Sequence, residues 1–306
     1  MTAFLPKSSK FILIGSVFIN VAISSATPVR AGLNEKSTTC LDCLITRFYE
    51  DTKHVLTSPF HWNHQSLLTF ATLSVGTFEL MFVDKDLQDL VQGHRTSTTN
   101  RISRWTDRYT KRVTNLTIGG FYLSGIIFSN EKAKETALLC LESVALAEGI
   151  TKGLKHLAGR TRPFGNKGTF HFDPLKLSPP SSSLSFPSGH ATTAFALSSV
   201  IAKQYGNIPL TFLLYGWSTI VALARVNNNA HFLSDVVWGT IIGIAVGRTI
   251  VEFNKKNTSE KTRFTLLSKT DLSRKASRRT PPDGSSSEPV WARSFGLEMK
   301  VVISIK

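Results

Sequence analysis

Three clusters of polar residues interrupt the apolar stretches of this 306-residue sequence. The first, KHLAGRTRP, places Lys155 and Arg162 seven residues apart. Seven residues are nearly two turns of an α-helix, so both side chains leave one face and can converge on one anion. Pro163 then ends the helix. Taken alone, such a basic pair is also typical of a solvated or lipid-facing surface.

The second cluster is Pro187-Ser188-Gly189-His190, which opens the apolar helical pattern ATTAFALSSVIA. The free N–H groups and the dipole of a helix N-terminus favour an anion, and a glycine allows the ligand to approach the backbone. Ser188 alone also fits an ordinary N-cap, and His190 a solvent-exposed loop histidine.

The third cluster is ARVNNNAHFLSDVVWG, in which Arg225 ends an apolar helix. His231 and Asp235 are four residues apart, the spacing that brings two side chains together on one helix face. A carboxylate that holds one imidazole nitrogen leaves the other nitrogen with a lone pair, as a nucleophile requires. A structural His–Asp pair has the same pattern.

Together the three clusters contain what a metal-free phosphoryl transfer needs. Cations and N–H groups can hold the phosphoryl oxygens, one histidine can attack, an aspartate can orient it, and a second histidine can protonate the leaving group. The sequence shows no carboxylate cluster suited to magnesium or calcium, so no metal site is predicted.

These residues identify a resemblance to the type 2 phosphatidic acid phosphatase (PAP2) superfamily, which also includes bacterial nonspecific acid phosphatases and vanadium haloperoxidases. The family pattern matches here at Lys155-x6-Arg162-Pro163, at Pro187 to His190, and at Arg225-x5-His231-x3-Asp235. Ala224 stands where the family usually has serine. The resemblance covers about residues 60–253.

The resemblance implies a role for each matched residue. His231 would attack phosphorus and form a phosphohistidine, and Asp235 would orient it. His190 would protonate the departing alkoxide and then activate water. The residues implied to bind phosphate are Lys155, Arg162, Ser188, Gly189 through its N–H, and Arg225.

The elements that must position these residues are predicted to be α-helices. Six stretches have helical apolar character, at about 66–83, 115–128, 133–158, 189–204, 208–226 and 235–253, and none alternates as a half-buried strand does. We expect an all-α, PAP2-like bundle of six helices with the active site at helix ends. Residues 84–112 are polar and are predicted to be partly helical on the surface. Gly239, Gly243 and Gly247, four residues apart, predict a closely packed neighbouring helix.

The sequence does not decide whether the bundle spans a membrane. Of the two forms, we favour the membrane-embedded one. The uncharged stretch at 208–224 is shorter than the usual span of about 20 residues. The other stretches are interrupted by charges that are costly in lipid, at Glu79, Glu142, Glu148 and Lys203.

Both ends of the chain differ from this bundle. Lys7 and Lys10 precede an apolar run and then small residues, which predicts a secretory signal over 1–31, or an anchor helix, and export of the rest. An N-terminal extension follows over 32–62, with Cys40 and Cys43 as candidates for a local disulfide, whereas Cys140 is predicted to be a core residue. The catalytic domain is placed at 63–253. Residues 254–306 are predicted to be a basic, disordered tail.

The formal net charge is +15, and residues 254–306 supply 12 − 5 = +7 of it. No nucleic-acid-binding signature accompanies this charge, so nucleic acid is excluded as a partner.

The leading hypothesis is a phosphatase acting outside the cytoplasm on a lipid phosphate, such as phosphatidic acid, phosphatidylglycerol phosphate, undecaprenyl diphosphate or a lipid A phosphate. The alternatives are a soluble periplasmic acid phosphatase acting on small phosphomonoesters, a haloperoxidase that would need vanadate, and a non-enzymatic membrane or lipid-binding protein with a relic site. No other cofactor is predicted.

Overall fold

The computed structural model describes residues 40–175 and 180–277, and over these residues the protein is built from α-helices. Short 3-10 turns and one isolated β-bridge, between Arg160 and Phe172, are the only other regular features of the described chain. The helices are α1 (Cys40–Thr57), α2 (His64–Gly93), α3 (Ser97–Ile127), α4 (Glu131–Ala158), α5 (Gly189–Tyr205), α6 (Ile208–Asn227) and α7 (Leu233–Ser277). The all-α prediction is confirmed.

Side chains at the helix ends fix where several helices begin. The side chains of Asn63, Asn130 and Asn207 accept hydrogen bonds from backbone N–H groups in the first turns of α2, α4 and α6. Thr96 and Thr99 form a reciprocal capping box at the start of α3. Such caps satisfy N–H groups that have no partner within the helix.

The observed helices include all six apolar stretches but are longer than some of them. Residues 84–112, predicted to be partly helical, are helical except at the turn between α2 and α3. An additional helix, α1, lies in the predicted N-terminal extension. Helix α7 continues to Ser277, whereas we expected it to end at residue 253 and to be followed by a disordered tail. The chain divides into two compact units between Lys255 and Lys256, and the site lies in the first.

The predicted secretory signal lies outside the described residues, as does the tail beyond 277. The side chains of Cys40 and Cys43 are also outside the described set, so their disulfide stays a prediction. Cys140 is fully buried in the main apolar core beside Leu139 and Val200, which confirms the prediction of a core residue.

Helix α5 lies at the centre of the bundle, with most of its residues buried. The α7 glycines allow the close contact with α5 that their spacing predicted. A Cβ atom added at Gly239 would lie 2.5 Å from the Ser188 carbonyl oxygen, and one at Gly243 would lie 2.6 Å from that of Thr192. Any larger side chain at these positions would therefore push α7 away from α5.

Three of the described helices are long and apolar enough to cross a membrane, namely α2, α6 and the Leu233–Asn257 part of α7. In the apolar window of α2 only 11% of the residues are buried, so its large side chains face outward. Most of the charged residues that argued against a membrane-spanning bundle form ion pairs. Arg47 lies 3.0 Å from Glu142, and Lys203 lies 2.7 Å from Glu252. Outward-facing apolar helices with paired charges are typical of a membrane-associated protein.

Candidate phosphate-binding site

Four helix termini meet at one end of the bundle: the end of α4, the start of α5, the end of α6 and the start of α7. Gly159 ends α4 in the left-handed conformation (φ 61°), and a Cβ there would lie 1.9 Å from the Asp173 carbonyl oxygen. Only glycine fits this turn. The turn directs the chain from Lys155, on the last turn of α4, to Arg162.

Backbone hydrogen bonds hold both ends of the loop between α4 and α5. Arg162 donates its backbone N–H to the Ser182 carbonyl oxygen at 2.7 Å, and Ser185 donates to that of Arg160 at 2.9 Å. Ser188, which precedes α5, donates its N–H to the Asp235 carbonyl oxygen at 2.9 Å. These bonds bring the Arg162 end and the Ser188 end of the loop to the start of α7.

The three predicted phosphate-binding cations lie close enough to affect one another. Burial, and next the charge of Arg162, lower the pKa of Lys155 to about 7. Burial and then the charge of Arg225 lower the pKa of the Arg162 guanidinium. Lys155 Nζ donates to the carbonyl oxygens of Leu184, at 2.6 Å, and Ser185, at 3.2 Å. Convergent cations of this kind stabilise a bound anion.

Three buried donors at this site have no hydrogen-bond partner: Arg162 Nε, Ser188 Oγ and Arg225 Nε. Buried polar groups are nearly always paired, so unpaired ones need an explanation. The N-cap alternative does not account for Ser188, because its side chain makes no capping bond to α5. All three donors belong to residues predicted to bind phosphate.

Gly189 begins α5, and the protein's own packing leaves space beside it. A Cβ atom added there would meet no atom closer than Thr151 Cγ2, at 4.0 Å. In contrast to Gly159, Gly239 and Gly243, this glycine is therefore not required by a neighbouring part of the chain. Close approach of a ligand to the backbone is the remaining physical reason for it.

His231 and Asp235 lie side by side and are both buried. His231 Nδ1 is 3.8 Å from Asp235 Oδ2 and 3.5 Å from Ser185 Oγ, which leaves Nε2 as the nitrogen available to a substrate. Ser185 Oγ donates to Asp235 Oδ2 at 2.5 Å, and the Phe232 N–H donates to the same oxygen at 3.0 Å. Burial lowers the pKa of His231 to about 3, so its imidazole is neutral at neutral pH, as a nucleophile must be.

His190 faces an acidic residue that the sequence analysis missed. Its Nε2 lies 3.4 Å from Asp107 Oδ1, and the same carboxylate oxygen forms an ion pair with Arg225 Nη1. Burial, and next the charge of Arg225, lower the pKa of His190 to about 4, and Asp107 acts in the opposite direction. The one available sequence signal was a single acid among basic residues, in RISRWTDRYTKR.

Arg160 is a second omission, although it lies between Lys155 and Arg162 in the first motif. Its fully buried guanidinium donates through Nη1 to Asp235 Oδ1 at 2.6 Å and through Nη2 to Asp84 Oδ2 at 2.8 Å. The Phe232 ring lies 4.5 Å from its Cζ atom. Asp84 also accepts from the Ser234 backbone N–H at 3.0 Å. Arg160 thus joins α2 to the start of α7 and fixes the carboxylate that faces His231.

The structure therefore brings the eight predicted site residues to one end of the bundle and adds Asp84, Asp107, Arg160 and Ser185. Among the residues described, no group of three or more His, Cys, Asp or Glu side chains is arranged to hold a metal ion.

Residues 136–259 match the family model of the PAP2 superfamily, and all eight predicted site residues fall within that range. A lipid A 1-phosphatase of Porphyromonas gingivalis is 31% identical over 106 residues, which are 34% of this chain and 20% of that protein. A lipid A 1-phosphatase of Rhizobium johnstonii is 37% identical over 93 residues, 29% of this chain and 36% of that protein. The chain thus matches about a fifth and somewhat over a third of these two relatives.

Two solved structures are also similar. One is a transmembrane PAP2-type phosphatidylglycerolphosphate phosphatase from Bacillus subtilis, 20% identical with a TM-score of 0.46, the match covering 61% of this chain and 96% of that one. The other is LpxE of Aquifex aeolicus, 20% identical with a TM-score of 0.39, covering 55% of this chain and 93% of that one.

Proposed function

Because residues 136–259 match the PAP2 superfamily model, we propose that the protein is a PAP2-type phosphatase that hydrolyses phosphomonoesters of membrane lipids. The observation that carries the proposal is the convergence of three unpaired buried donors, on Arg162, Ser188 and Arg225, beside the neutral imidazole of His231. A phosphoryl group supplies acceptors for such donors, and charge-assisted bonds of this kind are the strong ones.

The first half of the reaction forms a covalent intermediate. His231 Nε2 attacks phosphorus, an N–P bond forms, and the bond between phosphorus and the ester oxygen breaks. His190 gives its proton to the departing oxygen. His190 takes up that proton when substrate binds, because the phosphate dianion favours the imidazolium form. Lys155, Arg162 and Arg225 neutralise the charge on the transferring oxygens, with Ser188 Oγ and the Gly189 N–H as further donors.

The second half returns the enzyme to its starting state. Neutral His190 accepts a proton from water, the hydroxide attacks phosphorus, and the N–P bond breaks to release inorganic phosphate. Asp235 stabilises the positive charge that His231 carries during both steps, as a buried carboxylate beside an imidazole does. No step of this mechanism calls for a metal ion or another cofactor.

A lipid is the proposed substrate because the site lies where apolar helices end. Helix α6 ends at Asn227 and the apolar part of α7 begins at Leu233, directly before and after His231. The two matched relatives named lipid A 1-phosphatase support the same substrate class. We further propose an exported protein whose site faces the outer side of the membrane, since the N-terminal sequence has the pattern of a secretory signal.

Phosphate release by the purified full-length protein in detergent tests this function. We expect release from phosphatidic acid, phosphatidylglycerol phosphate or lipid A, with a kcat/KM at least about tenfold above that for p-nitrophenyl phosphate, because only lipids use the apolar surface beside the site. Turnover of p-nitrophenyl phosphate without detergent, combined with no turnover of any lipid, would instead establish the soluble acid phosphatase.

The lowered pKa of Lys155 predicts how anion binding changes with pH. Because that pKa is about 7 in the free protein, Lys155 must take up a proton to bind an anion above this pH. Proton uptake on binding weakens affinity by about tenfold per pH unit. Sulfate is a suitable probe because its charge is constant over this range. Its inhibition constant should rise steadily from about pH 7 to pH 9.

The Lys155→Gln variant is the matched control. Its inhibition constant for sulfate should be high already at about pH 6 and should rise less steeply with pH than that of the wild type, because the proton that Lys155 takes up on binding no longer contributes. An unchanged slope in this variant would show that another group is responsible.

A further inference from the structure

The N-terminal half of α3 carries five exposed cations that the proposed mechanism does not use. We define the basic face as Arg101, Arg104, Arg108, Lys111 and Arg112. Their spacings of three and four residues place them along one side of the helix. The opposite side packs into the bundle through small polar residues, namely Ser103, Thr106, Thr110 and Thr114.

The charge of the basic face is not balanced within the described protein. Between residues 97 and 112 the only carboxylate is Asp107, and it is already engaged by Arg225 and His190. None of the five cations forms an ion pair with a carboxylate in the described ranges 44–175 and 180–257, and Arg112 instead lies over the Tyr109 ring. Like charges one turn apart on a helix repel, so an external anion would stabilise this surface.

The basic face adjoins the phosphate site. Arg104 precedes Asp107 by three residues and Lys111 follows it by four, so all three lie along neighbouring positions of one side of α3. The charge of Lys111 also reaches His190, whose pKa it lowers. The exposed cations of α3 therefore lie beside Asp107, the carboxylate that pairs with Arg225 inside the site.

The N-terminal end of this surface lies at the level where α6 ends. Asn227 and Asn228, at the end of α6, contact Asn100 and the Ser103 carbonyl oxygen of α3. Trp105, half exposed on α3, packs edge-on against Trp217 of α6. A lipid whose phosphate reached His231 would have the rest of its headgroup beside α3.

We propose that the basic face binds a second anionic group of the substrate lipid, so that the preferred substrates carry a phosphate or carboxylate in addition to the phosphate that is cleaved. This inference rests on the proposed phosphatase function and specifies its substrate class. Anionic headgroups of surrounding lipids offer the same chemistry, and the experiment below separates the two sources.

The test compares the wild type with the triple variant Arg101→Gln/Arg104→Gln/Arg108→Gln, which keeps Lys111 because its charge reaches His190. The matched control, Lys53→Gln/Lys203→Gln/Lys255→Gln, removes the same charge from exposed positions on α1, α5 and α7. The substrates are p-nitrophenyl phosphate, phosphatidic acid and bisphosphorylated lipid A, the lipids in neutral detergent micelles with and without phosphatidylglycerol.

We expect the triple variant to lose about tenfold or more in kcat/KM for bisphosphorylated lipid A, through KM, in both kinds of micelle. Its activity on p-nitrophenyl phosphate and phosphatidic acid should stay within about twofold of the wild type, as should all activities of the control. An unchanged kcat/KM for lipid A would overturn the inference. So would an equal loss for both lipids seen only with phosphatidylglycerol, which would assign the face to surrounding headgroups. A wild type inactive on every substrate would instead overturn the proposed function, and the inference with it.

Discussion

The variant His231→Gln is expected to lose at least about ten-thousandfold in the rate of phosphate release, because no other nucleophile takes its place. Its fold should be retained. The shortest side-chain contact of His231 to the neighbouring polar groups is 3.5 Å, and its imidazole is neutral at neutral pH, so little binding energy within the protein is lost. The measurement is phosphate release from the best lipid substrate, with the melting temperature of the same sample.

The matched control is His156→Gln, since His156 is an exposed histidine one residue from Lys155. It should keep activity within about twofold of the wild type. Residual activity of more than a few per cent in the His231 variant, at a normal melting temperature, would rule out His231 as the nucleophile.

Replacing Arg160 by methionine is expected to have the largest effect on stability. The change leaves the buried carboxylates of Asp84 and Asp235 without the cation that both contact. Removing one partner from a buried ion network costs about 3–5 kcal/mol of unfolding free energy. For a chain of this size we expect the melting temperature to fall by about 10 °C. Activity per folded molecule should fall as well, because Asp235 loses a bond that holds it.

Arg162→Met provides a sharp contrast two residues along the chain. Arg162 lies among cations, and its Nε has no partner, so its removal should leave the melting temperature unchanged or slightly raised while raising KM. A second comparison is the double variant Arg160→Met/Asp84→Asn, which removes one of the two unpaired charges. It should be more stable than Arg160→Met alone. If Arg160→Met melts at the wild-type temperature, Arg160 does not join α2 to α7 as described.

The helices with an apolar pattern in the sequence could be predicted, whereas the polar N-terminal half of α3 could not be predicted in full. The stretches at 133–158, 189–204 and 208–226 agree with α4, α5 and α6 to within a few residues, because their hydrophobic pattern is the pattern of the core. The N-terminal half of α3 buries Ser103, Thr106 and Thr110 instead. A hydrophobic periodicity does not register such a face, so this segment was expected to lie partly on the surface.

The same limit applies to the site. The eight residues found from the sequence lie in three short motifs, and their proximity was predicted from spacing along a helix. That reasoning was wrong for two pairs, because α4 ends at Ala158, before Arg162, and α7 begins at Leu233, after His231. The loops next to these helix ends bring the residues together instead. Asp84 and Asp107 reach the site from other helices, across 76 residues to Arg160 and 118 residues to Arg225. Only the packing of α2 and α3 brings them there. Arg160 lies inside the first motif, but its partner Asp84 lies outside all three. The structural role of Arg160 could therefore not be predicted from the sequence.

The most direct test of the account is to identify the phosphorylated residue. In the His190→Ala variant, p-nitrophenyl phosphate should still transfer its phosphoryl group, because nitrophenolate leaves without a proton, whereas hydrolysis of the intermediate should be slow. The protein is denatured in alkali, in which phosphohistidine survives, and its peptides are analysed by mass spectrometry. The account predicts a phosphoryl group on His231, absent from His190→Ala/His231→Gln. Release of nitrophenol with His231 unmodified, or with the phosphoryl group on another residue, would contradict it.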